Sequence, residues 1–262
     1  MNATSIEQKL EFMEKRLAKQ EKEIYDLNAI KEIGDVMAKY EYFHVAGMFP
    51  EHAELFAKRD DTTAQVGTWG YYKGWESIRR LYAGVHVELM KPGHYFEHAL
   101  TTSMTVVAGD GKTAKYVCIS PGHETKINTQ TGKAEPGWCW VKYACDFIKM
   151  PDNRWYIWHL FVLLTFWAYY DKSWAEGGEH RTVNPTSKMP LELQPDAPSL
   201  AFHDPYDPKK IHEFLPAFPL PYETYDEKEG VNWVFPHASR RKPYPRDLEG
   251  TENLWPNKNA WK

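Results

Sequence analysis

Cysteine is scarce in this sequence: of 262 residues, only Cys118, Cys139 and Cys145 carry a thiol. An odd count without closely paired spacing excludes a disulfide framework and a zinc knuckle, leaving three small side chains buried in strands. Long apolar runs are missing too. The longest, Trp155 to Tyr170, is interrupted by His159 and is shorter than the ~20 residues that cross a bilayer. The first thirty residues are highly charged and hold neither an apolar h-region nor a small-residue cleavage site, so no leader or membrane anchor is expected and the protein reads as cytoplasmic. An excess of basic charge is also absent. With 32 Lys and Arg against 36 Asp and Glu, the net charge is -4, and no basic face is clustered to neutralise phosphates; nucleic acid is not an expected partner.

What the chain has in abundance is rings. Trp, Tyr and Phe make up 15% of it, with 11 Trp, which implies either an unusually aromatic core or a cavity shaped for a flat molecule. Ile6, Leu10, Met13, Leu17, Gln20, Ile24 and Leu27 step by four and three, a heptad seam with one polar member. This predicts an amphipathic helix over residues 1–27 that pairs with a partner subunit or packs on its own domain. A second helix is predicted from Ala29 to about Gly47, with Ile30, Ile33, Met37, Tyr40 and His44 on one face and Gly47 as its stop. A short helix follows from Pro50 through Phe56, and a third from Trp75 to about Met90 before the Lys91-Pro92-Gly93 breaker.

The period then becomes two. Residues 94–108, 113–127, 137–150 and 154–169 read as strands separated by Gly109-Asp110-Gly111, the Asn128–Pro136 loop and Pro151-Asp152-Asn153. Helices followed by an antiparallel meander make an α+β fold over residues 28–170. Residues 171–262 differ in kind, holding 13 of the 18 prolines. They also carry Phe202, Tyr206, Phe214, Phe218, Tyr222, Trp233, Phe235, Trp255 and Trp261, whereas disordered tails are poor in aromatics, so an extended arm anchored on its own barrel or a neighbour's is expected.

The element order, with Tyr40-Glu41-Tyr42-Phe43-His44, His98-Ala99-Leu100-Thr101-Thr102, Gly109-Asp110-Gly111 and Trp155-Tyr156-Ile157-Trp158-His159, resembles the SnoaL-like branch of the NTF2-like superfamily. The resemblance implies a cone-shaped barrel whose pocket lies between the concave sheet and the first and third helices. The layout is similar to that of the scytalone dehydratases, whose two catalytic histidines would fall on His98 and His123. That family's helical Tyr and Asp would fall on Ala46 and Gly47, and its later Ser and Asn on Lys142 and Ala144, so a different substrate is implied. In length and aromatic richness the chain is also similar to the cofactor-free lyases that release formaldehyde from lignin-derived diaryl compounds.

Two imidazoles across a pocket can serve as general acid and base without a cofactor, which makes His123 and His98 the first catalytic candidates, provided strand register turns both inward. Lys142 either snorkels to the rim or is buried to donate to a leaving hydroxyl, with Asp146 as an alternative ion-pair partner. Tyr40 and His44, one helical turn apart, either join the polar cluster or fill the core. Trp69, Tyr71, Tyr72, Trp138, Trp140, Trp158 and Val162 are the candidates for the substrate wall. A metal triad of His98, His123 and His44, assisted by Glu97 or Glu124, is the weaker reading because no local ligand spacing supports it. The expectation is a homo-oligomeric, dimeric or trimeric lyase with no metal and no cofactor, acting on a hydroxylated aromatic molecule by dehydration or loss of formaldehyde. A cyclase or ketosteroid-type isomerase and a non-catalytic binding module remain the rival readings.

Overall fold

The structure is a computed structural model, and residues 6–176, 189–199, 205–206, 215–228 and 230–235 are described here. Helix α1 (Ile6–Val45) runs unbroken for 40 residues, so the two helices expected over residues 6–27 and 29–47 are one. Nothing across Leu27-Asn28-Ala29 breaks a helix, and i,i+4 pairs such as Lys22–Asp26 and Lys31–Asp35 support its surface. Its second half buries Ala29, Ile33, Met37, Tyr40 and Glu41 against the sheet. Gly47, at φ 70°, follows the helix end, as expected of a left-handed stop.

After α2 (Phe49–Ala53) come the short strands β1 (Thr63–Val66) and β2 (Tyr71–Lys73). Helix α3 (Trp75–Arg79) then continues through a π-helical stretch, Arg80–His86, into a last turn, α4 (Val87–Leu89). Strands β3 (Tyr95–His98), β4 (Thr101–Val107), β5 (Thr113–Ile127), β6 (Ala134–Lys149) and β7 (Trp155–Tyr169) complete one sheet in the order β2-β1-β7-β6-β5-β3, with β4 also on β5. All pairings are antiparallel except β1 with β7. The architecture is α+β, a curved sheet wrapped over helices, as expected. No described helix is long and apolar enough to cross a membrane.

The main core fills the concave side, where Phe56, Ile78, Leu81, Tyr82, Phe147 and Ile157 are fully buried. A second core lies on the convex side: Leu215, Trp233 and Val234 of the C-terminal segment pack on Ala144, Phe161 and Leu163. This later part of the arm therefore lies on its own sheet, while residues 189–199 pack at the β2 edge and the helical stretch, where Leu193 joins the main core and Asp196 pairs with Arg80. Tyr206 meets Phe166 edge-on, Phe235 meets Phe161, and the Tyr222 hydroxyl hydrogen-bonds Thr113 at 3.0 Å. Phe202, Phe214, Trp255 and Trp261, also expected as anchors, lie outside the described residues.

Candidate active site

Strand pairing decides which side chains meet inside the cone. His98 stands opposite Gly122, Phe96 opposite Glu124, and Gly122 in turn opposite Cys139. Side chains alternate faces along a strand, so the inward set is Phe96 and His98 on β3, Glu124 and Lys126 on β5, and Cys139, Val141 and Tyr143 on β6. Val162, Leu164 and Trp167 of β7 join them, with Tyr40 and His44 from α1, Phe49 from α2, Trp69, and His86 from the π-helical stretch. They enclose a cavity of about 300 Å³, the lower end of the range for small-molecule sites.

Its polar centre is an ion pair. His98, 6% exposed, places Nε2 3.5 Å from Glu124 Oε1, while the indole of Trp167 donates to Glu124 Oε2 at 2.8 Å. Burial alone would raise the Glu124 pKa; the hydrogen bond from His98, the charge of Lys126 and the Trp167 indole overcome it and hold the group at about 2. For His98 burial works against the charged ring, yet Glu124 and then Glu41 outweigh it and raise its pKa. His98 Nδ1 is buried without a hydrogen-bond partner. The ring lies against bare backbone, since a Cβ on Gly122 would stand 2.4 Å from Nδ1.

Three more imidazoles gather on the helical side. The His44 ring lies 5.6 Å from His98, 5.7 Å from His86 and 5.9 Å from His52, and its Nδ1 is 3.8 Å from Glu41 Oε1. Burial, with His44 nearby, lowers His86 to about 3 and His52 well below the ordinary histidine value, so both are neutral near pH 7. His86 Nδ1 donates to the Leu81 carbonyl at 2.8 Å, which fixes its tautomer. Tyr40 and Tyr82 share a hydrogen bond of 2.9 Å, and burial first of all pushes both phenols far up, so they act as neutral hydroxyls.

Several expected site residues lie elsewhere. His123 is half-exposed on the convex face beside Glu97, 3.8 Å away, so neither the histidine pair nor the His98–His123–His44 metal triad is assembled. Its neighbour Glu124 takes the inward position, because even-numbered β5 residues face the cavity. Lys142 is also convex, donating to the Leu215 carbonyl at 3.0 Å beneath the arm, with its pKa lowered by burial. Trp138 and Trp140 share that face and pack beside Tyr170 and Phe166. Trp158 stacks on His159 and donates to Asp61 at 3.0 Å. Asp146 receives His159 and not Lys142, at 2.9 Å. Tyr72 is core, its hydroxyl reaching the Leu193 carbonyl, and Tyr71 pairs with the edge segment at Ala197. The structure does bring together His98, His44, Tyr40, Trp69 and Val162.

The sequence points to none of Lys126, Cys139 and His86 as cavity groups, and to Glu124 only as an assistant in the metal triad. His98, Glu124 and Cys139 offer three donor atoms within 4.8 Å of one another, the spacing of a metal triad. Burial and then Glu124 hold the Cys139 thiol protonated, and Lys126 stands 3.5 Å from the same carboxylate. A cation there would have to displace a proton and compete with an existing positive charge.

The SnoaL-like domain family matches residues 26–160. No curated protein matches the chain. Among solved structures it is similar to an NTF2-like protein with a cystatin-like fold from Novosphingobium aromaticivorans, at 21% identity over 66% of this chain and 94% of that one, TM-score 0.39. A candidate scytalone dehydratase from the same species gives 15% identity over 56% and 91%, TM-score 0.46. The hexachlorocyclohexane dehydrochlorinase LinA-type3 from Novosphingobium barchaimii LL02 gives 15% over 56% and 93%, TM-score 0.46.

Proposed function

The chain belongs to the SnoaL-like domain family, and on that footing we propose that it is a lyase whose own imidazoles serve as acid and base on a hydroxylated aromatic molecule. The observation that carries this reading is the buried Glu124–His98 pair in a cavity walled by Phe49, Trp69, Phe96, Tyr143 and Trp167. His44, His86 and His98 face that cavity with His52 packed behind His44, and burial keeps His52 and His86 neutral while Glu124 favours His98 as the cation. Such separation is how one site holds an acid and a base at one pH.

In the proposed reaction, imidazolium His98 is the general acid. It gives its proton to the hydroxyl that leaves as water, or to the developing product when a neighbouring carbon–carbon bond breaks with loss of formaldehyde. His44 removes the substrate proton. Glu124 does not touch the reacting atoms; it is a positioning residue that orients His98 and keeps it charged. A para-hydroxyl on the substrate ring would let charge spread into a quinone-methide-like intermediate. Tyr40 lines the cavity one helical turn from His44 with its hydroxyl bonded to Tyr82 behind it, and the apolar walls exclude water, which strengthens each charge interaction inside. The acid and base come from the chain, so the scheme requires no cofactor. Isomerisation by a carboxylate base fits less well, because a carboxylate held at about 2 and paired with a cation is a weak base.

Replacing His98 with Ala should lower kcat/KM by about 100-fold or more. The assay would offer hydroxylated arylpropanes and diaryl diols and follow loss of water or formaldehyde by mass spectrometry. Turnover of such compounds by wild-type protein, undiminished in the variant, would remove His98 from the mechanism. Absence of any product from wild-type protein that nevertheless binds these compounds would favour the binding-module reading.

A further inference from the structure

The outer half of α1 carries an apolar stripe that its own barrel leaves bare. Ile6, Leu10, Met13, Leu17, Ile24 and Leu27 are each more than half exposed. They keep the heptad step through three repeats, with Leu10, Leu17 and Ile24 at one core position and Ile6, Met13, Gln20 and Leu27 at the other. The next two seam positions would be Lys31 and Gly34, so the stripe stops near Ala29, the first α1 residue buried against the barrel. The helix meets its own domain on the far side from the stripe: Tyr25 donates to the Gly111 carbonyl at 2.6 Å, and Ala29 is buried. At ~100° per residue both lie well over 90° from the seam's midline. The family match begins only at residue 26, so the stripe is an addition to the shared domain.

We infer that this stripe is the interface for a second copy of the chain, joined to it as a parallel, in-register, two-stranded coiled coil. Charge decides both occupant and orientation. The residues flanking the seam on one side are Glu7, Glu14 and Glu21, and on the other Lys9, Arg16 and Glu23. In a parallel pair, Lys9 faces Glu14 of the partner subunit and Arg16 faces Glu21 of the partner subunit, twice over by symmetry. An antiparallel pair would set the acidic flank against itself and the Lys9–Arg16 flank against itself. Gln20 adds register. Only an unshifted parallel pair lets its amide meet Gln20 of the partner subunit; any slip buries it against an apolar side chain. The seam is about 33 Å long, enough for three heptads of interlocking side chains.

Sedimentation of the full chain should show a two-copy particle at micromolar concentration. Leu10→Lys with Leu17→Lys should give single copies whose far-UV circular dichroism and barrel unfolding are nearly unchanged, since both positions are solvent-facing. Lys9→Glu with Arg16→Glu should also dissociate, and mixing that variant with Glu14→Lys/Glu21→Lys should restore the pair. Gln20→Cys should cross-link copies on mild oxidation; the native cysteines are buried and stay out of the reaction. A single-copy wild type, a three-copy particle, a lysine variant of undiminished size, or a Gln20→Cys pair that resists cross-linking would each overturn the inference.

Discussion

His98 and Glu124 are 3.5 Å apart, and each changes what the other is. The carboxylate lies far below the ordinary value of a glutamate and the imidazole above the ordinary value of a histidine, so each partner favours the charged form of the other. The signs of the two linkages differ. Glu124 contributes stability that is present above the ordinary Glu pKa and fades as pH falls towards about 2. His98 contributes stability that is full below the ordinary His value near 6.5 and fades as pH rises through its raised folded value. Glu124→Gln removes the group that holds the proton on His98 and leaves the burial that opposes it. The His98 titration, followed by NMR of its ring proton, should therefore move to lower pH, and the alkaline limb of any rate profile should move with it. A His98 titration unmoved by the substitution would mean that Glu124 does not govern it.

Strands and helices were easier to read than the faces they present. The expected strand over 113–127 coincides with β5, and the expected third helix from Trp75 to about Met90 covers the observed helical run, although its π-helical middle left no sequence signature. Facing was illegible for a physical reason. On β5 the cavity set includes Gly122, Glu124 and Lys126, while the opposite set includes Val117, Ile119 and Pro121, so polarity points the wrong way and His123 looks like the inward residue. On β6 large apolar side chains stand on both faces, because Trp138 and Trp140, on the face they share with Lys142, have ring partners of their own on the convex side. Alternation identifies a core only when one face meets water. Close packing of β3 on β5 supplies a test of the facing. A methyl on Gly122 would stand 2.4 Å from His98 Nδ1 and 2.6 Å from the Glu97 carbonyl oxygen, and the latter is backbone that cannot swing away. Gly122→Ala should cost about 1–3 kcal/mol in urea unfolding and displace the His98 ring, lowering turnover although no reacting group is lost. Wild-type stability together with wild-type turnover would contradict this packing.

At the scale of the whole molecule the sheet is a middle layer, with the helices and cavity on its concave side and residues 215–228 and 230–235 of the arm on its convex side. The arm is held by buried polar bonds as well as by rings. Asp146, 1% exposed, accepts from the Trp233 indole at 2.7 Å and the Tyr225 hydroxyl at 3.0 Å, and it pairs with His159 at 2.9 Å. Lys115 lies over the rings of Tyr222 and Trp233. A carboxylate taken out of water is tolerated only while its partners remain, so the arm and the sheet surface beneath it depend on each other. Trp233 is the strongest single link, since it fills the second core and also donates to Asp146. Trp233→Ala should cost about 3–5 kcal/mol, and Trp233→Phe, which keeps most of the ring but drops the donor, about 1–3 kcal/mol. Both are read from urea midpoints. Because Trp233 sits across the sheet from the cavity, ligand affinity measured below the unfolding transition should stay at the wild-type level in each variant. A midpoint unchanged in Trp233→Ala would mean that the arm adds no stability, and a loss of affinity without loss of stability would mean that the two faces of the sheet are coupled.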